Sequence, residues 1–557
     1  MFNNAPRVRF VPLGGVIGVT KNCYLYEYYE GDNLKDILIV DMGIGFPKES
    51  QLGVDFVIPD VSYLMDKVDK IRGICFTHGH EDHISAARFH YKNLGSPPLF
   101  ASKLTVALLE AKFAEFSIGV KVNEIKYRHS YKFGAFEVEF VRMTHSIPDT
   151  THLIIRSPVG TLYHGSDYKL DITPPYGQRP DFFAMTKAGE EGVLCLMSDC
   201  LGSERAGLTA SESDVGATFD ELMRKTKGKF IMTTFASNIS RIRQCVESAI
   251  KFNRSVVFLG RSMKKNVDLT SQIGYLNIPP KFVLEEREIG KLPPSRVCVI
   301  VTGSQGQFGS GIYKISNGLN KDVKLNKGDT VVFSSDPIPG NDENVDEIIA
   351  QLYATGADVV YPNNQDQLHA SGHGSQEDMK FLIAFTRPKF LLPVGGDVKH
   401  QRAYLRLANQ MGYLDEQVFL QKEGETVIFE KGKAFLGDKV VTKSVFVDAY
   451  GVGDVGDIVL RDRATLGKEG VVTAIILANT SGGLGGEVTI SSRGFVFEKG
   501  GTELLLEASR LATKALGAKN LLENKNQIQR EVITNLEKFF FEKTGRRPLI
   551  VAEVVMV

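Results

Sequence analysis

Three of the eleven histidines in this chain fall within six residues, in the run Thr77-His-Gly-His-Glu-Asp-His83. The run directly follows an apolar stretch, Gly73-Ile-Cys-Phe-Thr77, whose composition predicts a β-strand. Side chains in a loop after a strand can converge on one point outside the sheet. Imidazole and carboxylate groups suit Zn²⁺ or a similar borderline ion. The run therefore predicts a metal site, in preference to a set of exposed loop histidines.

The spacing within the run indicates two neighbouring metal positions. His78 and His80 alternate along an extended loop and can face one ion. Asp82 and His83 stand at the start of a helical pattern and can turn toward a second ion. Two ions held about 3.5–4 Å apart can bridge a hydroxide and lower its pKa. We therefore expect a two-metal hydrolase centred on residues 78–83.

The composition limits the partners of such a centre. Hydrophobic residues make up 43% and charged residues 24% of the 557 residues, which is typical of a soluble globular protein of about three domains. The 66 basic and 66 acidic side chains cancel. Any nucleic-acid binding must therefore use a local basic groove, because global attraction is absent.

The sequence also predicts a cytoplasmic location with no membrane partner. No stretch approaches the roughly 20 apolar residues that cross a bilayer, and the first seven residues lack the regions of a signal peptide. The six cysteines are scattered without a CxxC pair. That pattern favours buried free thiols in a reducing compartment, and it argues against thiolate ligands for zinc.

Two different patterns of predicted secondary structure precede residue 360. The first 200 residues alternate short apolar runs with glycine or proline breaks, which predicts strands of a layered α/β fold. From about residue 211 the pattern changes to helices at 214–227 and 239–252 and strands at 229–234 and 255–259. Strands that alternate with helices of this length predict a parallel sheet.

The end of the chain predicts a separate small α/β domain. Residues 449–457 are rich in glycine and aspartate, which indicates a linker or extended loop. Strand patterns follow at 470–478, 487–491 and 548–557, and helical patterns at 502–515 and 526–543.

The His-x-His-x-Asp-His pattern of residues 78–83 resembles that of the metallo-β-lactamase superfamily. Asp41 closes an apolar strand, like the early supporting aspartate of that family. The resemblance implies that His145 is a third ligand of the first metal and that Asp167 bridges both metals.

Further motifs resemble the β-CASP nucleases, and within them the bacterial ribonuclease J family. The β-CASP motifs are Ser198-Asp-Cys-Leu-Gly-Ser-Glu-Arg205, Leu368-His-Ala-Ser-Gly-His-Gly374 and Val394-Gly-Gly-Asp-Val-Lys-His400. The ribonuclease J stretches are Thr233-Thr-Phe-Ala-Ser-Asn-Ile239, Thr302-Gly-Ser-Gln-Gly306, Phe333-Ser-Ser-Asp-Pro-Ile-Pro-Gly340 and Arg546-Arg-Pro-Leu-Ile550. The resemblance covers essentially the whole chain.

This resemblance implies a metallo-β-lactamase αββα sandwich, with an inserted parallel-sheet α/β β-CASP domain and a small C-terminal α/β domain. We expect the sandwich to be formed by residues 1–210 and 361–447, with the inserted domain at 211–360. A linker at 448–464 would lead to the C-terminal domain at 465–557.

The resemblance also assigns roles to residues. His400 would be a ligand of the second metal beside Asp82 and His83, His373 would contact the scissile phosphate, and Asp199 would orient or protonate groups near the metals. The catalytic set is Asp82, Asp167, Asp199 and His373, and the metal ligands are His78, His80, Asp82, His83, His145, Asp167 and His400. Residues that would hold backbone phosphates are Ala236, Ser237, Asn238, His369, Ala370, Ser371, Gly372 and His373. The alternative for His369 and His373 is a pair on a helix surface, which the intervening glycine disfavours.

The activity implied is that of a zinc-dependent ribonuclease, in RNA maturation and decay. Two Zn²⁺ ions per chain would serve, with Mn²⁺ or Mg²⁺ as alternatives in activity. A metal-bridged hydroxide would attack the phosphodiester and leave a 5′ phosphate on the product. The resemblance implies 5′-to-3′ exonuclease and endonuclease action on single-stranded RNA with 5′-monophosphate ends. It also implies a homodimer or homotetramer and partners from an RNA-degradation complex.

Four departures from the family pattern leave the metal ligands in place. They are the stretch Val16-Ile-Gly-Val-Thr20, Gln307 and Asp342 where glutamate is expected, and Gly374 in place of alanine. They bear on substrate grip and on contacts between domains.

Two other functions stay open on the sequence. One is a metallohydrolase of small esters or thioesters, which would not need the inserted domain. The other is a non-catalytic RNA-binding scaffold, which would usually have lost ligands. Cations that could line an RNA groove are Arg241, Arg243, Arg261, Lys264 and Lys265. For each of them a solvated helix face is the alternative.

Overall fold

The computed structural model describes residues 5–338, 340–449, 451–495, 498–517 and 525–556. The extreme ends of the first and last predicted domains, Pro339 of the motif at 333–340 and Tyr450 of the predicted linker lie outside the described residues. The chain forms two compact units. One comprises Met1–Gly45 with Ile58–Ser444, and the other comprises Phe46–Val57 with Val445–Val557.

Short strands dominate the first 200 residues, as the alternating apolar runs predict. The strands are β1 (Pro6–Gly14), β2 (Cys23–Glu30), β3 (Asn33–Val40), β4 (Phe56–Pro59), β5 (Ile71–Cys75), β6 (Leu99–Ala101), β7 (Val122–Glu124), β8 (Ser130–Phe133), β9 (Phe136–Arg142), β10 (Thr151–Ser157), β11 (Gly160–Gly165) and β12 (Val193–Asp199). The helices are α1 (Glu81–Ile84), α2 (Ala87–His90), α3 (Lys103–Ala114) and α4 (Phe182–Glu191).

The helices and strands between Ser213 and Val360 form a domain with a parallel sheet, the sheet type that the alternating pattern predicts. Its helices are α5 (Ser213–Lys225), α6 (Ile239–Lys251), α7 (Arg261–Gln272), α8 (Gly311–Ser316) and α9 (Asp342–Ala354). Its strands are β13 (Phe230–Thr233), β14 (Ser255–Leu259), β15 (Val297–Val301), β16 (Thr330–Phe333) and β17 (Asp358–Val360). They form one parallel sheet in the order β14-β15-β13-β16-β17. Apolar clusters on both faces of this sheet bury it, which explains why its strands are continuous apolar runs.

The chain then returns to the first fold. The elements are α10 (Gln376–Thr386), β18 (Phe390–Val394), α11 (Val398–Gln410), β19 (Thr426–Glu430) and β20 (Lys433–Gly437). Because β18 pairs in parallel with β12, the strands on either side of the parallel domain are neighbours in one sheet. The parallel domain is therefore an insertion.

Two sheets with helices outside them form the αββα sandwich. One has the strand order β20-β19-β1-β2-β3-β5-β6-β7, and the other has the order β18-β12-β11-β10-β9-β8. Between them lie buried side chains such as Phe10, Tyr26 and Phe140, each of which contributes roughly 1.5–3 kcal/mol by leaving water. Helices α4, α10 and α11 pack on the outer face of the second sheet, and α3 contacts β6 and β7.

The second unit has its own core. Its elements are β21 (Ser444–Asp448), β22 (Gly451–Val452), α12 (Asp457–Glu469), β23 (Val471–Ala478), β24 (Thr489–Arg493), α13 (Glu498–Leu516), α14 (Lys525–Thr544) and β25 (Leu549–Met556). Strands β24, β23 and β25 form a sheet that packs on α13 and α14.

The segment predicted as a linker, residues 448–464, is mostly regular structure. The pairing of Asp448 with Gly451 shows that the first part is a hairpin, and Asp457 begins a helix. Gly453 has a φ of 78° just after the hairpin, and the acidic Asp457 stabilises the positive end of the helix. Among the described residues, no helix is long and apolar enough to span a membrane.

Candidate metal centre

The predicted ligands stand on loops that meet at one edge of the sandwich. His78 and His80 follow β5, His145 follows β9, and Asp167 follows β11. Strands β11, β12 and β18 run parallel, so that their carboxyl ends lie side by side. This topology brings together residues that are far apart in sequence.

The first group comprises His78, His80, His145 and Asp167, whose ligand atoms all lie within 4.8 Å of one another. The Nδ1 atom of His80 is 3.1 Å from Nε2 of His78 and 3.1 Å from Nε2 of His145. His145 donates from Nδ1 to the carbonyl oxygen of Gly372 at 2.7 Å, which leaves Nε2 with a lone pair. Burial lowers the pKa of His80 to about 3 and lowers that of His78 and His145 well below the usual value. Neutral imidazoles are the form that binds a metal.

The second group shares Asp167 with the first. It comprises Asp82, His83 and Asp167, again within 4.8 Å. Nε2 of His83 is 3.3 Å from Oδ2 of Asp167 and 3.7 Å from Oδ2 of Asp82. Burial raises the pKa of Asp82 to about 6, and the charge of the neighbouring His83 offsets only part of that rise. One carboxylate between two ligand groups is the arrangement that a two-metal site requires.

Asp41 holds Thr77 and His83 in place by hydrogen bonds, which is the supporting role that the family resemblance implies. Its carboxylate accepts hydrogen bonds from the backbone N–H and the hydroxyl of Thr77, at 2.8 and 2.7 Å. It also accepts from Nδ1 of His83 at 2.7 Å, which directs Nε2 toward Asp82 and Asp167. Asp41 is fully buried and has a φ of 58°, in the left-handed region that aspartate tolerates better than most residues.

His373 and Asp199 form a pair beside the ligands. Nδ1 of His373 donates to Oδ2 of Asp199 at 2.8 Å, and Nε2 is 3.9 Å from Oδ2 of Asp167. Burial lowers the pKa of His373, but the carboxylates of Asp199 and Asp167 outweigh burial and raise it to about 9. Near neutral pH the imidazole is therefore charged, and its Nε2–H is free to donate toward the centre.

A buried arginine holds His369 at the border of the inserted domain. The Arg241 side chain is 0% exposed and pairs with Glu212 at 2.6 Å. It also donates to the carbonyl oxygen of Ser334 at 2.7 Å and to Nδ1 of His369 at 3.3 Å. Burial, followed by the charge of Arg241, lowers the pKa of His369 well below its usual value. His369 is therefore neutral, with Nδ1 as acceptor and Nε2 as donor.

The other predicted phosphate-binding residues lie in three places. Gly372 and Ser371 adjoin the centre, through the Gly372 carbonyl and a bond from the His373 N–H to the Ser371 hydroxyl at 3.1 Å. Ala370 is buried in the core of the inserted domain. The turn of Ala236, Ser237 and Asn238 precedes α6, and the Asn238 side chain caps that helix by accepting from the N–H of Arg241.

The structure does not bring His400 into either ligand group. His400 lies in the first turn of α11, where Nδ1 accepts from the N–H of Asp397 at 3.2 Å and Nε2 is 3.6 Å from Glu204. Nearer the ligands stands Gly395, where a Cβ would lie 3.3 Å from Oδ1 of Asp199 and 3.7 Å from Oδ1 of Asp167. The acidic neighbours of His400 are thus Asp397 and Glu204, while its role as a ligand of the second metal stays a prediction.

Four of the five predicted groove cations have other partners. Arg241 is buried, so both its predicted role at an RNA groove and the solvated alternative are wrong. Arg243 pairs with Glu247, Lys264 with Glu286, and Lys265 with Glu115. Arg261 is exposed and has no ion-pair partner among the residues that the structure describes.

Some contributors to the centre carried no sequence signal. The Asn22 amide lies 3.0 Å from Nε2 of His83, and Arg205 donates to the carbonyl oxygen of His373 at 3.1 Å. Arg205 ends the β-CASP motif that begins at Ser198, which gave this arginine no role of its own, and Asn22 is an ordinary polar residue before a strand. Glu212 becomes notable only through its contact with Arg241.

The sandwich, its metal centre and the inserted domain define the class of protein. It is a metallo-β-lactamase-fold protein of the β-CASP type. Residues 51–179 match a family described as a beta-lactamase superfamily domain. Residues 227–352 match the beta-CASP domain of ribonuclease J, and residues 458–557 match its C-terminal domain.

Whole-length relatives identify the family. The chain is 35% identical to ribonuclease J 1 of Streptococcus pyogenes, across 98% of this chain and 96% of the relative. It is 36% identical to ribonuclease J of Thermus thermophilus, across 98% and 95%. It is 33% identical to ribonuclease J2 of Bacillus subtilis, across 100% and 99%. The chain therefore belongs to the ribonuclease J family of metal-dependent ribonucleases.

A solved structure shares the fold at low sequence identity. A protein of unknown function from Enterococcus faecalis V583 aligns with a TM-score of 0.55 at 15% identity. The alignment covers 76% of this chain and 100% of that one. This likeness concerns the fold alone.

Proposed function

We propose that this protein is a zinc-dependent ribonuclease that hydrolyses RNA phosphodiesters, as a 5′-to-3′ exonuclease with endonuclease activity, in RNA maturation and decay. The observation that carries the proposal is the pair of ligand groups that share Asp167, next to the hydrogen-bonded pair of His373 and Asp199. Hydrolysis of a phosphodiester needs a water molecule deprotonated to hydroxide, and it needs hydrogen-bond donors for the phosphoryl oxygens.

The ligand sets suit two divalent ions. His78, His80, His145 and Asp167 would hold one, and Asp82, His83 and Asp167 would hold the other. Imidazole and carboxylate ligands without thiolates fit zinc, and they also fit manganese as an ion that supports activity. When bound, the ions would lower the pKa of a water molecule and offset negative charge on the phosphate. His400 as a further ligand stays a prediction.

His373 and His369 would bind phosphoryl oxygens. Asp199 keeps the His373 imidazole charged and oriented, so that Nε2–H can donate to the oxygen on which charge develops. Arg241 fixes the neutral His369 with Nε2 as donor, which suits a backbone phosphate beside the cleavage point. Backbone groups of Ala236 and Ser237 would contribute further contacts.

The same proposal extends to substrate and partners. We expect RNA with single-stranded 5′-monophosphate ends as the substrate, a homodimer or homotetramer as the assembly, and a degradation complex as partner. A cytoplasmic location is supported by the six cysteines, which are all free and buried.

Small esters or thioesters are a weaker alternative. A small substrate would not need the inserted parallel domain, whose helix α6 contacts His369 through Arg241. A non-catalytic RNA scaffold is weaker still as an alternative. Such a protein would usually have lost metal ligands, whereas both ligand groups and the His373–Asp199 pair are present here.

Metal analysis combined with digestion of 5′-labelled RNA tests the proposal. We expect purified protein to contain zinc and to release mononucleotides from the 5′ end. His78→Ala and Asp82→Ala should each lose metal from one group and abolish cleavage, since each removes a ligand. A matched control is His129→Ala, because His129 is outside both ligand groups. Full cleavage by the His78 or Asp82 variant would refute the assignment, and esterase activity without RNA cleavage would favour the alternative.

A further inference from the structure

Phe308 is the most exposed large hydrophobic side chain among the described residues, at 87%. It lies between Gly306 and Gly309, whose φ angles of 74° and 71° give the loop a defined bend. The ring of Tyr313 lies 4.9 Å from the Phe308 ring, centroid to centroid, and supports one side of it. An aromatic ring held in this way offers its other side to solvent.

The loop that carries Phe308 lies at the functional edge of the inserted domain. It follows β15, and the turn of Ala236, Ser237 and Asn238 follows the parallel strand β13. The chain after β17 leads to His369 at the same edge. Ligands of parallel α/β sheets bind beyond the carboxyl ends of the strands.

Direct contacts connect this loop to His369, four residues before His373. The Gln305 side chain donates to the carbonyl oxygen of Asp336 at 2.9 Å and accepts from the N–H of Ile338 at 2.6 Å. The Asp336 carboxylate is 3.7 Å from Nε2 of His369. His369 is four residues from His373, which borders the metal ligands. The loop is therefore linked to His369 through Gln305 and Asp336, and His369 is joined to His373 by the chain itself.

An exposed cation adjoins the same loop. Arg261 begins α7 directly after Gly260, and a Cβ at Gly260 would lie 2.4 Å from Oγ1 of Thr302. The N–H of Thr302 donates to the carbonyl oxygen of Leu259. Arg261 is the predicted groove cation that has no ion-pair partner among the described residues. An exposed cation and an exposed aromatic ring at one edge of a sheet are the combination that binds single-stranded nucleic acid.

We propose that Phe308 is a stacking platform for one base of the single-stranded RNA substrate, on the side of the centre formed by the inserted domain. This inference rests on the proposed function and adds a binding site to it. The base would cover the solvent side of the Phe308 ring, and Arg261 would contact the adjoining backbone phosphate. Because every base has a π-face, the platform would accept any nucleotide.

A single-tryptophan reporter tests the stacking directly. The chain contains no tryptophan, so that Phe308→Trp introduces one reporter at the site. We expect its emission to be quenched, to saturation, when the metal-loaded protein binds a 5′-monophosphate oligonucleotide with phosphorothioate linkages. The control is Phe183→Trp, at an exposed position of α4 outside the proposed path. Unchanged emission from the Phe308 variant, while anisotropy of labelled RNA reports binding, would overturn the proposal.

Affinity measurements separate stacking from simple apolar contact. We expect Phe308→Ala to weaken binding of the same oligonucleotide by roughly 5- to 150-fold, which is the cost of one base–aromatic stack. Phe308→Tyr should retain the affinity, while Phe308→Leu should resemble the alanine variant because it lacks a planar face. Equal affinities for the alanine, leucine and wild-type proteins would contradict a stacking role.

An abasic scan locates the base and keeps the two proposals apart. One abasic nucleotide is moved along the oligonucleotide, and at one position the wild-type and Phe308→Ala proteins should bind equally. If no position does so while wild-type protein cleaves RNA, the platform is refuted and the ribonuclease proposal stands. If wild-type protein neither binds nor cleaves RNA, the proposed function fails first.

Discussion

At the scale of single residues, the partners that bury a charged side chain in this protein can be distant from it in sequence. Arg241 follows a predicted phosphate-binding turn, which makes it a plausible groove cation on sequence. Its partners Glu212 and His369 lie 29 and 128 residues away and bury it completely. Only the fold could reveal that this guanidinium positions His369, instead of facing solvent.

Arg241→Met tests this positioning role. Its removal leaves Glu212 buried with Lys169, 3.5 Å away, as its remaining ion-pair partner. Breaking a buried pair in this way costs about 3–5 kcal/mol, so we expect the free energy of unfolding in urea to fall by that order. KM for RNA should rise as well, because His369 loses the donor that orients it.

Arg243→Met is the matched control on the same helix. Arg243 pairs with Glu247 at the surface, where such pairs contribute about 0–1 kcal/mol. If the two variants unfold at the same urea concentration, Arg241 contributes no more to the free energy of unfolding than Arg243 does, and the prediction is wrong.

At the scale of elements, local patterns predicted most of the fold. The strand at 255–259 was predicted with its observed bounds, and the predicted helix at 239–252 is observed as Ile239–Lys251. These patterns succeed because apolar periodicity and glycine breaks are local properties. Helix α12 was missed because none of its residues is buried, so that it has no strong apolar stripe.

The candidate site was predictable for a related reason. Its first ligands follow the apolar run of β5, which is a local pattern. Strands β9 and β11 belong to the other sheet, so that His145 and Asp167 were expected only from the family resemblance. The contacts of His400 with Asp397 and Glu204 were not predictable, because the direction of a side chain in the first turn of α11 depends on how that helix packs. Asn22 and Arg205 were not predictable either, since each contacts the centre through the fold alone.

Gly374 joins the His373 loop to α10 and offers a test at this scale. A Cβ at Gly374 would lie 2.7 Å from Cβ of Asp378, which is the third residue of α10 and part of its capping box. We expect Gly374→Ala to lower the free energy of unfolding by roughly 1–3 kcal/mol, because neighbouring backbone must shift. The same shift should reduce kcat by moving His373.

Gly119→Ala provides the comparison, since a Cβ there would meet nothing within 4 Å. Its stability should be unchanged or slightly higher, because alanine restricts the unfolded chain. Wild-type stability and activity in the Gly374 variant would show that this loop accommodates the methyl group without strain.

At the scale of the whole molecule, a neutral chain must bind a polyanion through local features. The equal numbers of acidic and basic residues give no long-range attraction. Arg261, the charged His373 and the donors around His369 are concentrated around the centre and the adjoining edge of the inserted domain. Salt should therefore weaken RNA binding less steeply than in a protein with an extended basic surface.

The most direct test of the central claim, a two-metal ribonuclease acting from 5′ ends and internally, is product analysis on three forms of one RNA. The zinc-loaded protein is given 5′-monophosphate, 5′-triphosphate and circular versions of the same sequence. We expect mononucleotides with 5′ phosphates from the monophosphate form, slower release from the triphosphate form, and internal cuts in the circle. Intact RNA in all three reactions, with metal bound at both groups, would contradict it.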